Sequence, residues 1–130
     1  MFALMHSTRL ESLHLSVDPV TGLKAVIAIH NSRLGPALGG CRYLAYPDDE
    51  SAVADAARLA QGMSYKAALA GLPVGGGTAV ILRPGHVENR AALFEAFGRC
   101  IEQLDGRYIT ATDSGTSVAD MDCIAQQTRY

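Results

Sequence analysis

No segment of this sequence gathers lysine and arginine into a cluster, and the formal net charge over 130 residues is −2, with a pI near 6.0. The electrostatic footprint of a nucleic-acid-binding protein is missing, so neither DNA nor RNA is an expected partner. Cysteine is scarce as well. Cys41, Cys100 and Cys123 are far apart and odd in number, with no CxxC and no histidine at a spacing that would complete a zinc site. They read as small buried hydrophobes in a reducing, cytoplasmic compartment, and no metal site is expected. Met1–Arg9 has no basic stretch leading into an apolar one, so no signal peptide is expected. The most apolar run, Ala67–Leu82, is broken by Gly71, Pro73 and Gly75–Gly77. It falls short of the ~20 apolar residues that a membrane span needs. Repeats and low-complexity tracts are absent too.

What is present suits one soluble globular domain: 48% of residues are hydrophobic and 18% charged. Leu10–Val17 alternates, with Leu13, Leu15 and Val17 on one face, and predicts a half-buried strand. Asp18-Pro19-Val20-Thr21-Gly22 predicts a turn, and Leu23–Asn31 a second strand, closing a hairpin. A glycine- and proline-bearing loop over 32–42 leads into a short strand near Cys41–Leu44. From Asp48 the period changes: Val53, Ala56, Ala57, Ala60, Met63 and Ala67 form a helical stripe that ends at Gly71. Thr78–Leu82 predicts a short buried strand. Glu88–Leu104 predicts a helix with Leu93, Phe94, Phe97, Ile101 and Leu104 on one face and Gly106 as its stop. Tyr108–Ala111 predicts a strand, and Ser117-Val118-Ala119-Asp120 a capping-box start to a last helix reaching Gln127. Strands alternating with helices after a hairpin give an α/β domain with a mixed, partly parallel sheet.

Several residues invite chemistry, each beside a plainer alternative. Gly75-Gly76-Gly77-Thr78 lacks the lysine of a phosphate loop, and nothing after it supplies the third glycine of a dinucleotide fingerprint. It is either a tight turn or a close backbone approach to a ligand. Lys66 lies among apolar and small neighbours. It either snorkels to water or clamps an anionic substrate in a cleft. Asp113 follows a strand end, where ligands bind in open α/β sheets. It either acts as a general acid or base or orders its own turn. His6, His14, His30 and His86 share no metal-like spacing and are expected at the surface or at satisfied strand positions.

Four stretches in register carry a resemblance that covers nearly the whole chain. They are Gly35-Pro36-Ala37-Leu38-Gly39-Gly40-Cys41-Arg42, Leu59–Ala68 around Lys66, Gly71–Gly77, and Gly106–Ala111 with Asp113 and Gly115-Thr116. Together they resemble the N-terminal, substrate-binding and dimerisation domain of the NAD-dependent Glu/Leu/Phe/Val dehydrogenases, with the leucine dehydrogenases as the nearest subgroup. The resemblance implies a three-layer α/β/α domain over residues 1–130. It also implies reversible oxidative deamination of an aliphatic L-amino acid to its 2-oxo acid. Lys66 is similar to the lysine that holds the substrate carboxylate. Leu38, Gly39, Gly40 and Met63 would line the pocket, and Asp113 would carry a proton to and from the amino group. Pairing of subunits through Leu10–Asn31 would give a homo-oligomer. Two departures stand out. The family's second catalytic lysine falls at Thr78, which has no charge and no useful acid–base pKa. The Rossmann domain that binds NAD would follow the last helix, and the sequence ends at Tyr130. By itself the chain is therefore expected to bind no cofactor and to turn over no substrate. A stand-alone, non-catalytic domain for assembly or amino-acid binding is the alternative.

Overall fold

The computed structural model describes residues 1–130. Its elements are α1 (Phe2–Thr8), β1 (Ser12–Asp18), β2 (Leu23–Ile29), β3 (Ala37–Leu44), α2 (Asp49–Leu69), β4 (Gly75–Leu82), α3 (Arg90–Gln103), β5 (Tyr108–Thr112) and α4 (Val118–Ala125). Side-chain caps start the three later helices. Asp48 accepts the Ser51 N–H and Asn89 the Ala92 N–H, while Ser117 and Asp120 form the capping box expected at α4. Gly71, at φ +69°, ends α2, and the Leu72 N–H donates back to the Ala67 carbonyl at 3.0 Å. At the first turn the Asp18 carboxylate accepts from the Val20 N–H and the Thr21 hydroxyl, and Gly22 takes φ +81°.

The five strands lie in the order β1-β2-β4-β3-β5. β1, β2 and β4 run antiparallel in turn, and β4, β3 and β5 run parallel. Helices cover both faces, completing the three layers. Leu93, Phe94, Phe97 and Ile101 of α3 and Ile124 of α4 pack on one face. Ala52, Val53, Ala56, Ala57 and Ala60 of α2 pack on the other.

Several local expectations are corrected. Gly75–Gly77 form neither a turn nor a ligand loop: they lie inside β4, buried, and none has a positive φ. Their bareness serves the protein's own packing. A Cβ on Gly75 would sit 1.5 Å from the Asn31 carbonyl oxygen, and one on Gly76 would sit 2.1 Å from the Ser64 nitrogen of α2. One on Gly77 would meet the Tyr108 ring at 2.9 Å. β3 begins at Ala37 rather than near Cys41, because both its neighbours, β4 and β5, pair with it from Ala37 onward. The last helix ends at Ala125, not Gln127. Met1–Arg9 contains a helix without a sequence signature: at seven residues it is too short to show a period, and Leu4 and Met5 seat it on the α2-side core. Finally, Leu15 and Val17 are 58% and 69% exposed although they face the α2 side. β1 is an edge strand beyond the reach of α2, so its apolar face stays open over a cavity of about 310 Å³ lined also by Val26, Val53 and Leu82.

The capping acid of α4 is also tied to α3. Arg90 donates to both Asp120 oxygens at 2.9 and 2.8 Å, and its guanidinium lies 4.6 Å from the centre of the Tyr43 ring. Hydrogen bonding to Arg90 holds the Asp120 carboxyl below the usual carboxylate range despite its burial. A depressed folded pKa contributes stability that is complete above the unfolded value and fades as pH falls through the folded one. Urea unfolding is thus expected to show stability declining as pH drops below about 4. Arg90→Met should flatten part of that acid limb and cost about 2 kcal/mol at neutral pH, less than for a fully buried pair because Arg90 is 48% exposed. An unchanged acid limb in Arg90→Met would refute this assignment.

Candidate functional site

Strand alternation divides β3 between the two faces of the sheet. Ala37, Cys41 and Tyr43 belong to the α3-side core. Leu38, Gly40, Arg42 and Leu44 are half-buried and point to the α2 side. α2 rests on β4 and β2 and barely touches β3. The α2-side face is therefore left partly open over β3 and β5, where Ala111 is exposed. Leu38, Gly40 and Asp113 lie on or beside this half-covered face, and α2 borders it.

α2 forms the wall of that face. Its β2 flank is fixed by Ser64, whose hydroxyl lies 2.7 Å from His30 Nδ1 and accepts the Gly76 N–H at 3.0 Å. Its β3 flank is fixed by Asp55, 3.5 Å from Arg42 of β3. At 3.6 residues per turn, Leu59, Gly62 and Lys66 follow Asp55 along the β3 flank, and Lys66, eleven positions on, completes about three turns. A Cβ on Gly62 would meet nothing within 4 Å, so the flank has a gap midway. Lys66 is exposed in the last turn, where its charge suits the helix dipole. Met63 is half-buried between this flank and the sheet.

Asp113 closes the far end, one residue beyond β5. A Cβ on Gly40 would lie 2.6 Å from the Asp113 Cβ, so the strand must be bare there for the aspartate to lie over it. The loop is tightly held. Tyr43 N–H donates to the Ser114 carbonyl at 2.9 Å, Thr116 Oγ1 accepts the Asp113 N–H and lies 2.9 Å from the Cys41 carbonyl oxygen, and Arg90 donates to the Gly115 carbonyl. Asp113 does order its own turn, since Oδ1 accepts the Ser114 N–H at 2.8 Å. Its Oδ2 accepts from Arg42 Nε at 3.2 Å.

Arg42, the last residue of the first motif stretch, joins these candidates, although the motif gave it no role. The contact spans 71 positions in sequence, and only the parallel pairing of β3 with β5 makes it. Behind it, Asp55 accepts from the Tyr46 hydroxyl and from Arg58, both at 2.6 Å. Burial, then the hydrogen bond to Asp55, pushes the Tyr46 hydroxyl above its ordinary value. Asp55 stays below the carboxylate range: burial opposes this, but Tyr46, Arg58 and Arg42 outweigh it.

The other motif residues are spread around this face. Gly39 is buried on the opposite side of β3, with its carbonyl accepting from the Tyr108 hydroxyl at 2.9 Å. Thr78 is 2% exposed in β4, paired with Ala28 of β2. It shares the parity of Val80, which belongs to the α2-side core. No hydrogen bond or ion pair joins Lys66, Thr78 and Asp113. His30 differs from expectation, because its Nε2 is buried without a partner; α1 and α2 both close over the end of β2. Burial lowers its pKa. No group of His, Cys, Asp and Glu is placed to hold a metal ion. No helix is long and apolar enough to cross a membrane.

Comparison with known proteins places the chain in a family. The sequence profile of the Glu/Leu/Phe/Val dehydrogenase dimerisation domain matches residues 8–130. The chain is 52% identical over 130 residues to leucine dehydrogenase of Geobacillus stearothermophilus, covering 100% of itself and 35% of that protein. It is 52% identical over 120 residues to valine dehydrogenase of Streptomyces virginiae, covering 92% of itself and 34% of that protein. The crystal structure of L-tryptophan dehydrogenase from Nostoc punctiforme superposes with a TM-score of 0.94 at 40% identity, over 99% of this chain and 38% of that one. The chain thus spans about a third of the length of the curated relatives it matches. It belongs to the Glu/Leu/Phe/Val dehydrogenase family, as a domain of the dimerisation type.

Proposed function

We propose that the chain is the substrate-binding and dimerisation part of an NAD-dependent L-amino-acid dehydrogenase acting on aliphatic substrates. The observation that carries this is Asp113 lying over bare Gly40 on the half-open face whose α2 wall carries Lys66. In this reading the Lys66 ammonium holds the substrate carboxylate as a point charge. Leu38 and Met63 meet the aliphatic side chain. The Asp113 carboxylate, already fixed through Oδ1, takes a proton from the substrate ammonium and returns it in the reverse direction. A bound NAD would supply the hydride acceptor. The Gly75–Gly77 run is packed by Asn31, Ser64 and Tyr108 and is not open to a cofactor. In this reading the cofactor is held mainly by residues outside 1–130, since the relatives are about three times as long.

The exposure of Leu15 and Val17 on an unpaired edge supports homo-oligomer formation through β1 in this reading. Cytoplasmic placement is supported by three free cysteines. Thr78 favours a second reading, a non-catalytic domain that binds an amino or 2-oxo acid, because it leaves the site one cation short. Both readings predict binding. Calorimetric titration of the chain with L-leucine and with 4-methyl-2-oxopentanoate should give heat with each. Lys66→Ala should weaken both by ~10–100-fold, as expected for losing a charge-assisted contact. No heat with either ligand would overturn the substrate assignment and leave only assembly.

A further inference from the structure

Asp113 stands one residue past an edge strand, yet its carboxylate is gripped on both sides. Ser114 N–H takes Oδ1, and Arg42 Nε takes Oδ2. Arg42 lies two positions beyond Gly40 on the same face of β3, so its stem starts beside the aspartate. Its guanidinium faces a second carboxylate at the same time, Asp55 of α2, through Nη1 at 3.5 Å. A planar fork can serve two carboxylates only if both stay put. Asp55 does so, because the Tyr46 hydroxyl and Arg58 each hold one of its oxygens. Arg58 also supplies the counter-charge that leaves Arg42 available to Asp113.

We propose that Arg42 is the positioning residue for Asp113, aiming its carboxylate across Gly40 from a bracket of Asp55 and Tyr46. The functional part of this inference rests on the reading of Asp113 as the proton carrier. Its consequence is geometric. Asp55 and Lys66 share one flank of the same helix. The group that would take the substrate's ammonium proton and the group that would hold its carboxylate are then both referenced to α2, and the distance between them is fixed by one rigid rod.

The test separates positioning from substrate binding. In the 130-residue chain, three-bond couplings from the Asp113 Cγ to its backbone nitrogen and carbonyl carbon report χ1. One rotamer is expected in the parent, and rotamer averaging in Arg42→Gln. Asp55→Asn, which keeps its volume, should show the same averaging more weakly, and Arg42→Lys an intermediate value because it keeps charge without the fork. Parent-like couplings in Arg42→Gln and Asp55→Asn, with both folded, would overturn the proposal. So would averaging already present in the parent. A second arm reads ligands. Arg42→Gln should weaken L-leucine by ~10-fold, the scale of one hydrogen bond to a charged group. 4-Methyl-2-oxopentanoate, which has no ammonium, should change less than ~2-fold. Adding Arg42→Gln to Asp113→Asn should then have no further effect on L-leucine. Equal weakening of both ligands would assign Arg42 a merely structural role. If the parent binds neither ligand, the proposed function fails while the couplings still decide whether Arg42 positions Asp113.

Discussion

Thr78→Lys is expected to raise amino-acid dehydrogenase activity by ~10²–10⁴-fold, the usual contribution of one positioned acid–base group. The enzyme to measure joins residues 1–130 to the remainder of Geobacillus stearothermophilus leucine dehydrogenase, with which this chain shares 52% identity. NADH formation from L-leucine is the readout. Threonine cannot hold a positive charge beside a developing oxyanion, whereas an ammonium stabilises it in a low-dielectric site. The same substitution should lower the thermal midpoint of the isolated chain. Position 78 is 2% exposed, and an ammonium there must extend toward the open face or lose its proton more easily than in water. A rate that stays flat would mean that some other group does the work expected of a lysine, and would favour a non-catalytic role for the parent.

A large stability effect is expected at Gly76. An added methyl would lie 2.1 Å from the Ser64 nitrogen and 2.4 Å from the Ala60 carbonyl oxygen, both backbone atoms of α2 that cannot rotate aside. Gly76→Ala should cost about 3 kcal/mol, the upper end of overpacking penalties, out of a total that for most domains is about 5–15 kcal/mol. Gly62→Ala is the contrasting case. It lies inside α2 with nothing within 4 Å of the new methyl. It should stabilise by about 0.5–1 kcal/mol through helix propensity and reduced freedom of the unfolded chain. Urea midpoints of the two variants should therefore move in opposite directions. If Gly76→Ala stayed within ~0.5 kcal/mol of the parent, α2 would have to be free to slide on the sheet.

These two glycines also show what a sequence discloses. Caps at Ser117 and Asp120, the stop at Gly71 and the turn at Asp18–Gly22 were legible because each is a local hydrogen-bond arrangement with its own residue signature. The α/β class followed from a change of period at Asp48. Gly75–Gly77 misled, since glycine has little strand propensity and the reason for three of them lies in distant partners at Asn31, Ser64 and Tyr108. The exposure of Leu15 and Val17 was hidden for a similar reason: alternation gives the face of a strand but not whether a helix covers it. Lys66, Asp113 and Gly40 could be picked out by motif. The grip of Arg42 on Asp113 could not, because no local pattern reveals that β3 and β5 are neighbours.

The strand order has one more consequence. β1 and β5 are the two margins of the sheet, separated by four steps of about 4.8 Å, or roughly 19 Å. Strand-to-strand association at the β1 margin would lengthen the sheet away from Asp113, while the margin nearest the aspartate is met by Tyr130, whose carbonyl accepts the Thr110 N–H. In the proposed reading, recruitment of copies and handling of ligand would occupy opposite margins of one sheet. On that reading assemblies of different size could be built on this domain without redrawing the ligand site, and substitutions at Leu15 or Val17 should alter mass in solution while leaving ligand affinity where it was.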